Sequence, residues 1–149
     1  MFCNFIDCFN IDYADVHDIT YRNINVEYDE VIPQGIYQYK DNEKYEDLVT
    51  DYDSVPSLIS ADVSYHFEYS AGGKRRGKNR NFTFKNINLY GDKPLKMRFA
   101  GFDAEHKTEN VILDGIYLNG EAVRSISPEN LVIKDFTESI AFVDGEKIV

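Results

Sequence analysis

His17-Asp18-Ile19-Thr20-Tyr21-Arg22-Asn23-Ile24-Asn25-Val26 is the first of three versions of one phrase in this chain. Arg80-Asn81-Phe82-Thr83-Phe84-Lys85-Asn86-Ile87-Asn88-Leu89 is the second, and Glu109-Asn110-Val111-Ile112-Leu113-Asp114-Gly115-Ile116-Tyr117-Leu118 the third. Apolar side chains recur at Ile19, Tyr21, Ile24 and Val26, and at the matching places of the other two copies. The pattern predicts two short strands per copy, each apolar at alternate positions, joined by a bend at Asn23, Asn86 or Gly115. Asparagine suits such a bend because it tolerates left-handed backbone and bonds local polar groups. Asn23 and Asn86, stacked in neighbouring copies, are placed to form an amide ladder.

Spacing converts the phrase into an architecture. Ile19 and Phe82 lie 63 residues apart, Phe82 and Val111 only 29. The longer gap predicts an intermediate copy, and Ser57 to Tyr69 offers one, with Val63, Tyr65, Phe67 and Tyr69 alternating. A fifth, degenerate copy is expected at Asn130-Leu131-Val132-Ile133. Repeats at such periods signal solenoids, propellers or arrays, and no stretch has a convincing helical period. The expected fold is therefore all-β, a right-handed parallel β-helix of four to five coils, and a partial one. As a single domain over 1–149, its coils fall near 1–28, 57–70, 78–92, 107–123 and 128–149. A long loop spans 29–56 and a basic loop 71–80.

The phrase resembles the recurring coil sequence of the pectin lyase-like superfamily of right-handed parallel β-helices. Arg98-Phe99-Ala100-Gly101-Phe102-Asp103-Ala104-Glu105-His106, followed by Asn110-Val111 and Leu118-Asn119-Gly120, resembles the closing coils of its polygalacturonase-like glycoside hydrolases. The resemblance runs over roughly 16–123. It implies a carbohydrate-active protein whose partner is a polysaccharide or oligosaccharide. Polygalacturonases carry their catalytic aspartates in Asn-Thr-Asp and Asp-Asp motifs, with Gly-His-Gly and Arg-Ile-Lys further on, and none of the four occurs here. The resemblance thus implies a C-terminal portion that supplies saccharide contacts and end-capping while catalysis lies upstream, and it leaves open whether this chain is itself an enzyme. The alternatives are a non-catalytic saccharide-binding module and a structural β-helical piece.

The start of the chain fits that reading. Met1 to Ile11 alternates like a strand and brings no polar cap, so its edge is expected to dock on upstream coils or to self-associate. Sixteen Lys and Arg against 26 Asp and Glu leave a net charge of −10, which argues against nucleic acid or an anionic membrane as partner. No run of about 18 apolar residues is present to span a bilayer. Residues 1–11 have no basic start and no uninterrupted apolar run, so no signal peptide is expected here; a parent enzyme would be secreted or periplasmic. Cys3 and Cys8 imply neither a metal site nor a disulfide framework. No cofactor is expected.

Candidate chemistry sits outside the repeats. Asp103 and Glu105, with His106 beside them, are the nearest thing to the paired carboxyls of glycoside hydrolysis, and on a strand they would share a face. Arg98 is their expected structural partner. His66, Glu68 and Tyr69 precede the Gly72-Gly73 turn and the basic run Lys74-Arg75-Arg76-Gly77-Lys78-Asn79-Arg80. With Arg75 and Arg76 they could line a saccharide cleft, since guanidinium groups grip uronate carboxylates in a two-bonded fork. The same run could equally be a solvated loop that pairs with the acidic stretch from Asp41 to Asp53. Two ligands at the spacing of His66 and Glu68 do not make a metal site.

Overall fold

The computed structural model describes residues 4–28, 56–64 and 75–149. The predicted strands at 65–69, the long loop 29–56 up to Val55, and the site candidates His66, Glu68 and Tyr69 lie outside the described residues. Nine strands are described: β1 (Ile6–Asn10), β2 (Val16–Glu27), β3 (Ile59–Val63), β4 (Asn79–Tyr90), β5 (Met97–Ala100), β6 (Thr108–Leu118), β7 (Glu121–Val123), β8 (Leu131–Ile133) and β9 (Thr137–Phe142). They form two sheets. The first runs β1-β3-β5-β8, and the second runs β2-β4-β6-β7 with β9 also paired to β6. All pairings are parallel except β6 with β7.

This corrects the expected right-handed parallel β-helix of four to five coils: the strands make two parallel sheets with one shared core, and the copies do not stack as the spacing suggested. Ile19 pairs directly with Phe82, and Phe82 with Val111, so no copy stands in the 63-residue gap. Ile59–Val63 is not a version of the phrase; it lies in the first sheet between β1 and β5. Leu131–Ile133 likewise joins the first sheet, beside β5. The fourth version is β9, where Thr137, Ile140 and Phe142 face Thr108, Val111 and Leu113. Alternation marks a strand and its buried face but carries no label for the sheet that receives it.

Each version of the phrase is one long strand, not two. In β4 the order of burial puts Asn79, Phe82, Phe84, Ile87 and Leu89 inside, so the steps between inward residues are three, two, three and two. Strict alternation allows only steps of two. The extra residues are Asn81 and Asn86, both with φ above +50°, as are Asp18 and Asn23 in β2, Asn110 and Gly115 in β6, and Ser139 in β9. They stack from strand to strand. Asn86 Nδ2 donates to Asn23 Oδ1 at 2.9 Å, the anticipated ladder, and a second ladder runs from Asn110 to Asn81 and from Asn81 to Asp18 at 3.3 and 2.7 Å.

Inward residues of both sheets meet in one core of aromatic and aliphatic side chains. Phe82, Phe84, Ile87, Met97 and Phe99 have no exposed surface, while Val111, Leu113 and Ile116 retain 1%. Truncating a phenylalanine in such a place costs about 3 to 5 kcal/mol. Tyr21 stacks on Phe84 with ring centroids 5.2 Å apart and planes 6° from parallel. Cys8 points inward from β1 as a free thiol, pushed up to about 11 by burial against the opposing pull of its hydrogen bond with Tyr21. Ile6 and Cys8 are buried, whereas Phe5 and Phe9 are 37% and 46% exposed, and among the described residues β1 pairs only with β3.

Asn86→Gly is expected to be nearly neutral, whereas Asn86→Val should lose about 2 kcal/mol, combining left-handed strain of a β-branched residue with the lost amide bond. Denaturant unfolding of the two variants checks this, and equal losses would remove conformation as the cause.

Candidate functional site

Four turns lead from the first sheet to the second, three described in full and one in part. Residues 11–15 join β1 to β2, 75–78 precede β4, 101–107 join β5 to β6, and 134–136 join β8 to β9. Backbone bonds hold them against one another: Gly77 N donates to Asp12 O at 2.9 Å, and Gly101 N to Asp135 O at 3.2 Å. Two glycines permit this approach. A Cβ on Gly77 would overlap the Ala14 carbonyl, and one on Gly101 the Phe136 carbonyl.

The two glycines flank the most distinctive side-chain pair. Arg76 is buried, its guanidinium 4.3 Å from the centre of the Phe102 ring, and Arg76 Nη1 donates to Arg75 O at 2.8 Å. Arg75 is exposed and lies over Tyr13 at 5.6 Å. Tyr13 and Phe102 are 57% and 41% exposed, so this edge presents rings and guanidinium groups together. The pairing expected between the basic run and Asp41 to Asp53 falls outside the described residues. Among the described residues Arg75 and Arg76 engage rings of turns that are distant in sequence.

Asp103, Glu105 and His106 sit in the same edge, but not as a carboxylate pair on a strand. They form a turn. Asp103 Oδ1 accepts the Glu105 and His106 amides, each at 2.9 Å, and lies 2.7 Å from His106 Nδ1. Burial pushes the Asp103 carboxyl up slightly, and these hydrogen bonds outweigh it, so the group stays ionised below the usual carboxylate range. Such a group is a poor proton donor. Glu105 makes its described bond through its backbone, and Arg98 is not the partner of either acid.

Arg98 belongs to a second cluster, on the outer face of the first sheet. Its Nε meets Asp62 Oδ2 at 2.5 Å. Asp62 stands between Phe9 and Ala100 in register, at the end of the sheet that feeds the turn edge; Phe102 follows Ala100 by two residues. Asp62 is 7% exposed, and its Oδ1 has no hydrogen-bond partner among the described residues. Burial pushes its carboxyl above the ordinary value, more than Arg98 pulls it down, and the charge of Asp7 on the same face adds to the push. Asp62 therefore holds a proton to higher pH than any ordinary aspartate. Sequence reasoning missed it. The available signal was an acid inside Ile59-Ser60-Ala61-Asp62-Val63, an otherwise small and apolar strand, where ionised side chains are rarely buried without purpose.

The remaining features are modest. A cavity of about 90 Å³ lies beneath β7 between Leu113, Tyr117, Arg124, Phe142 and Asp144, well below the roughly 300 to 1,000 Å³ of ligand sites. Among the described residues no three His, Cys, Asp or Glu side chains are grouped to hold a metal ion, and no helix is long and apolar enough to cross a membrane. No family model, curated protein or solved structure matches the chain.

Because the folded-state pKa of Asp62 is raised, its ionisation opposes folding: this cost is absent below the unfolded value of about 3.9 and grows as pH rises through the folded value. Wild-type stability minus that of Asp62→Asn should therefore fall on going from pH 3 to 7, as measured by urea unfolding at each pH. A difference that rises with pH would place the Arg98 attraction above the burial effect. Gly101→Ala should lose about 2 kcal/mol or more, since backbone must move to admit the methyl group; an unchanged thermal midpoint would show the turns to be loosely packed.

Proposed function

We propose that this chain is the saccharide-contacting part of a polygalacturonase-like carbohydrate-active enzyme, and that an acidic oligosaccharide lies along the turn edge. The observation that carries the reading is the exposed guanidinium of Arg75 over Tyr13, beside the buried Arg76 that lies against the half-exposed Phe102 ring on the same edge. Rings offer flat apolar faces to sugar rings, and arginine grips a uronate carboxylate bidentately. The edge carries Lys78, Lys107 and Lys134 as well, and with Asp12, Asp15, Asp103, Glu105 and Asp135 its formal charge is balanced in a chain of net charge −10. The ionised, internally bonded Asp103 speaks for binding over catalysis at this edge.

A second reading, a saccharide-binding module with no catalytic partner, shares the same surface. The isolated chain would then bind as a folded monomer and need nothing else. Asp62 favours the enzymatic reading, because a carboxyl that burial pushes above its ordinary value beside an arginine is an arrangement that binding alone does not require.

Calorimetric titration with oligogalacturonate should give measurable affinity that weakens about tenfold or more in Arg75→Ala, the loss of one charge-assisted contact. Arg75 is exposed, so that variant should unfold at the wild-type temperature. Binding should also fall with added salt and be absent for a neutral oligosaccharide of the same length. Equal affinity of wild type and variant would return the arginines to a purely structural role.

A further inference from the structure

We propose that the free edge of β2 receives one further parallel strand, supplied by another polypeptide, and that this strand must carry Asn, Asp or Gly at two positions five residues apart. Among the described residues β2 pairs on one side only, with β4. Its inward row, Val16, Ile19, Tyr21, Ile24 and Val26, is only partly buried. The same row in β4 and β6 is closed, with Phe82, Phe84 and Ile87 at 0% and Val111, Leu113 and Ile116 at 1% exposure. Among the described strands of this sheet, β2 is the one whose whole inward row is only partly buried, and a strand beside it would complete the series.

The other end of the sheet is closed by the chain itself. Ile140 N donates to Val149 O at 3.0 Å, Phe142 N to Glu146 O at 3.0 Å, and Ala141 bridges Lys147 in antiparallel fashion. Among the described residues one end is capped and the other is not.

Left-handed residues decide what can fit. Every parallel neighbour in this sheet places them opposite one another: Asp18 with Asn81, Asn110 and Ser139, and Asn23 with Asn86 and Gly115. A strand without them keeps strict alternation and, after the first mismatch, presents its polar face to the core. The Asn ladder adds a direction, since each amide donates toward the β2 side. Asn23 is the last acceptor of its ladder among the described residues, and its Oδ1 is engaged by Asn86. An Asn or Asp at the matching bend of an added strand would accept from the Asn23 amide.

A second copy of this chain does not meet these conditions. Two β2 edges related by a twofold axis would run antiparallel. Setting Asp18 against Asn23 of the other copy aligns the bends but places Ile19 opposite Arg22, an inward residue against an outward one. Aligning the apolar rows instead sets Asp18 against Arg22 and leaves both bends unmatched. Head-to-tail addition is blocked by residues 146–149 on β9. The described residues supply no such strand and a second copy does not fit, so the proposed occupant is a parallel strand from a different polypeptide, with apolar residues facing Ile19, Tyr21, Ile24 and Val26. It would carry an acid facing Arg22, as Asp114 faces Lys85 at 2.5 Å.

A soluble, labelled peptide of the β4 sequence Asn79–Tyr90 with Lys85→Asp is a direct probe, because it carries both bends, the apolar row and the acid. Fluorescence anisotropy with the full chain should show saturable binding. The same peptide with Asn81→Val and Asn86→Val, which keeps length and hydrophobicity but disfavours left-handed backbone, should bind at least tenfold more weakly. Equal binding of the two peptides, or none by either at millimolar protein, overturns the proposal. So does a dimer of this chain, seen by light scattering, that the first peptide fails to dissociate. None of these readouts depends on oligosaccharide binding, and no protein variant with a folding risk is needed.

Discussion

A β-strand turns its side chains over at every residue, so inward residues three apart, such as Asn79 and Phe82 or Phe84 and Ile87, require a device between them that breaks the alternation. Here the device is a single left-handed residue, used twice per strand in β2, β4 and β6 and once in β9. For most L-residues that conformation costs about 1 to 2 kcal/mol, and Asn and Asp reduce the cost by bonding locally. Side-chain ladders recover more of it, because Asn81, Asn86 and Asn110 each donate a hydrogen bond to the bend of the neighbouring strand. A bend in one strand is tolerable only if its neighbour bends at the same place. Register, burial and the choice of Asn, Asp, Gly and Ser at these positions are therefore one constraint.

The same register sets the seam between the sheets. Asn79, Thr108 and Thr137 occupy one row at the start of β4, β6 and β9, and all three are buried. Asn79 Nδ2 donates to Cys8 O at 3.1 Å, and Thr108 Oγ1 to Ala100 O at 2.7 Å, with Thr137 reaching toward Phe99 O at 3.5 Å. These carbonyls belong to β1 and β5 of the first sheet, and a buried carbonyl left alone costs about 1 to 3 kcal/mol. The second sheet supplies side-chain donors to them. Polar side chains at these core positions thus fasten one sheet to the other, which an apolar residue of the same size would not do.

Much of the second sheet was legible in the sequence, because period-two patterning and the paired Asn positions are local signals that survive tertiary packing. Pairings Ile19 to Phe82 and Phe82 to Val111 follow the aligned phrases without a slip. Less was legible in the first sheet. Its strands are short, and Ser60 and Asp62 make β3 buried on both faces, so alternation is lost where it would have been the guide. The 63-residue gap then invited a copy that the sheet does not contain. At the site, the basic run was visible as charge, but its partners Tyr13 and Phe102 are distant in sequence and share no pattern with it. Asp103 was visible as an acid beside His106, whereas its engagement with backbone amides depends on a turn that composition does not specify. Asp62 was hidden by being a lone acid in an apolar strand.

The turn edge inherits its rigidity from this framework. Arg76 is followed at once by Gly77, and Phe102 is preceded at once by Gly101, the two residues whose missing side chains let successive turns touch. The guanidinium and the ring are thereby mounted on backbone that is bonded to its neighbours on both sides, and little conformational freedom is left to lose when a ligand arrives. Preorganisation of this kind reduces the entropy lost on binding, about 0.5 to 1.5 kcal/mol for each long side chain already held in place. It also explains why the repeated phrase is silent about function. Its residues are committed to the core, the ladders and the bends, so variation in the turns can change what the edge recognises while every strand keeps its register.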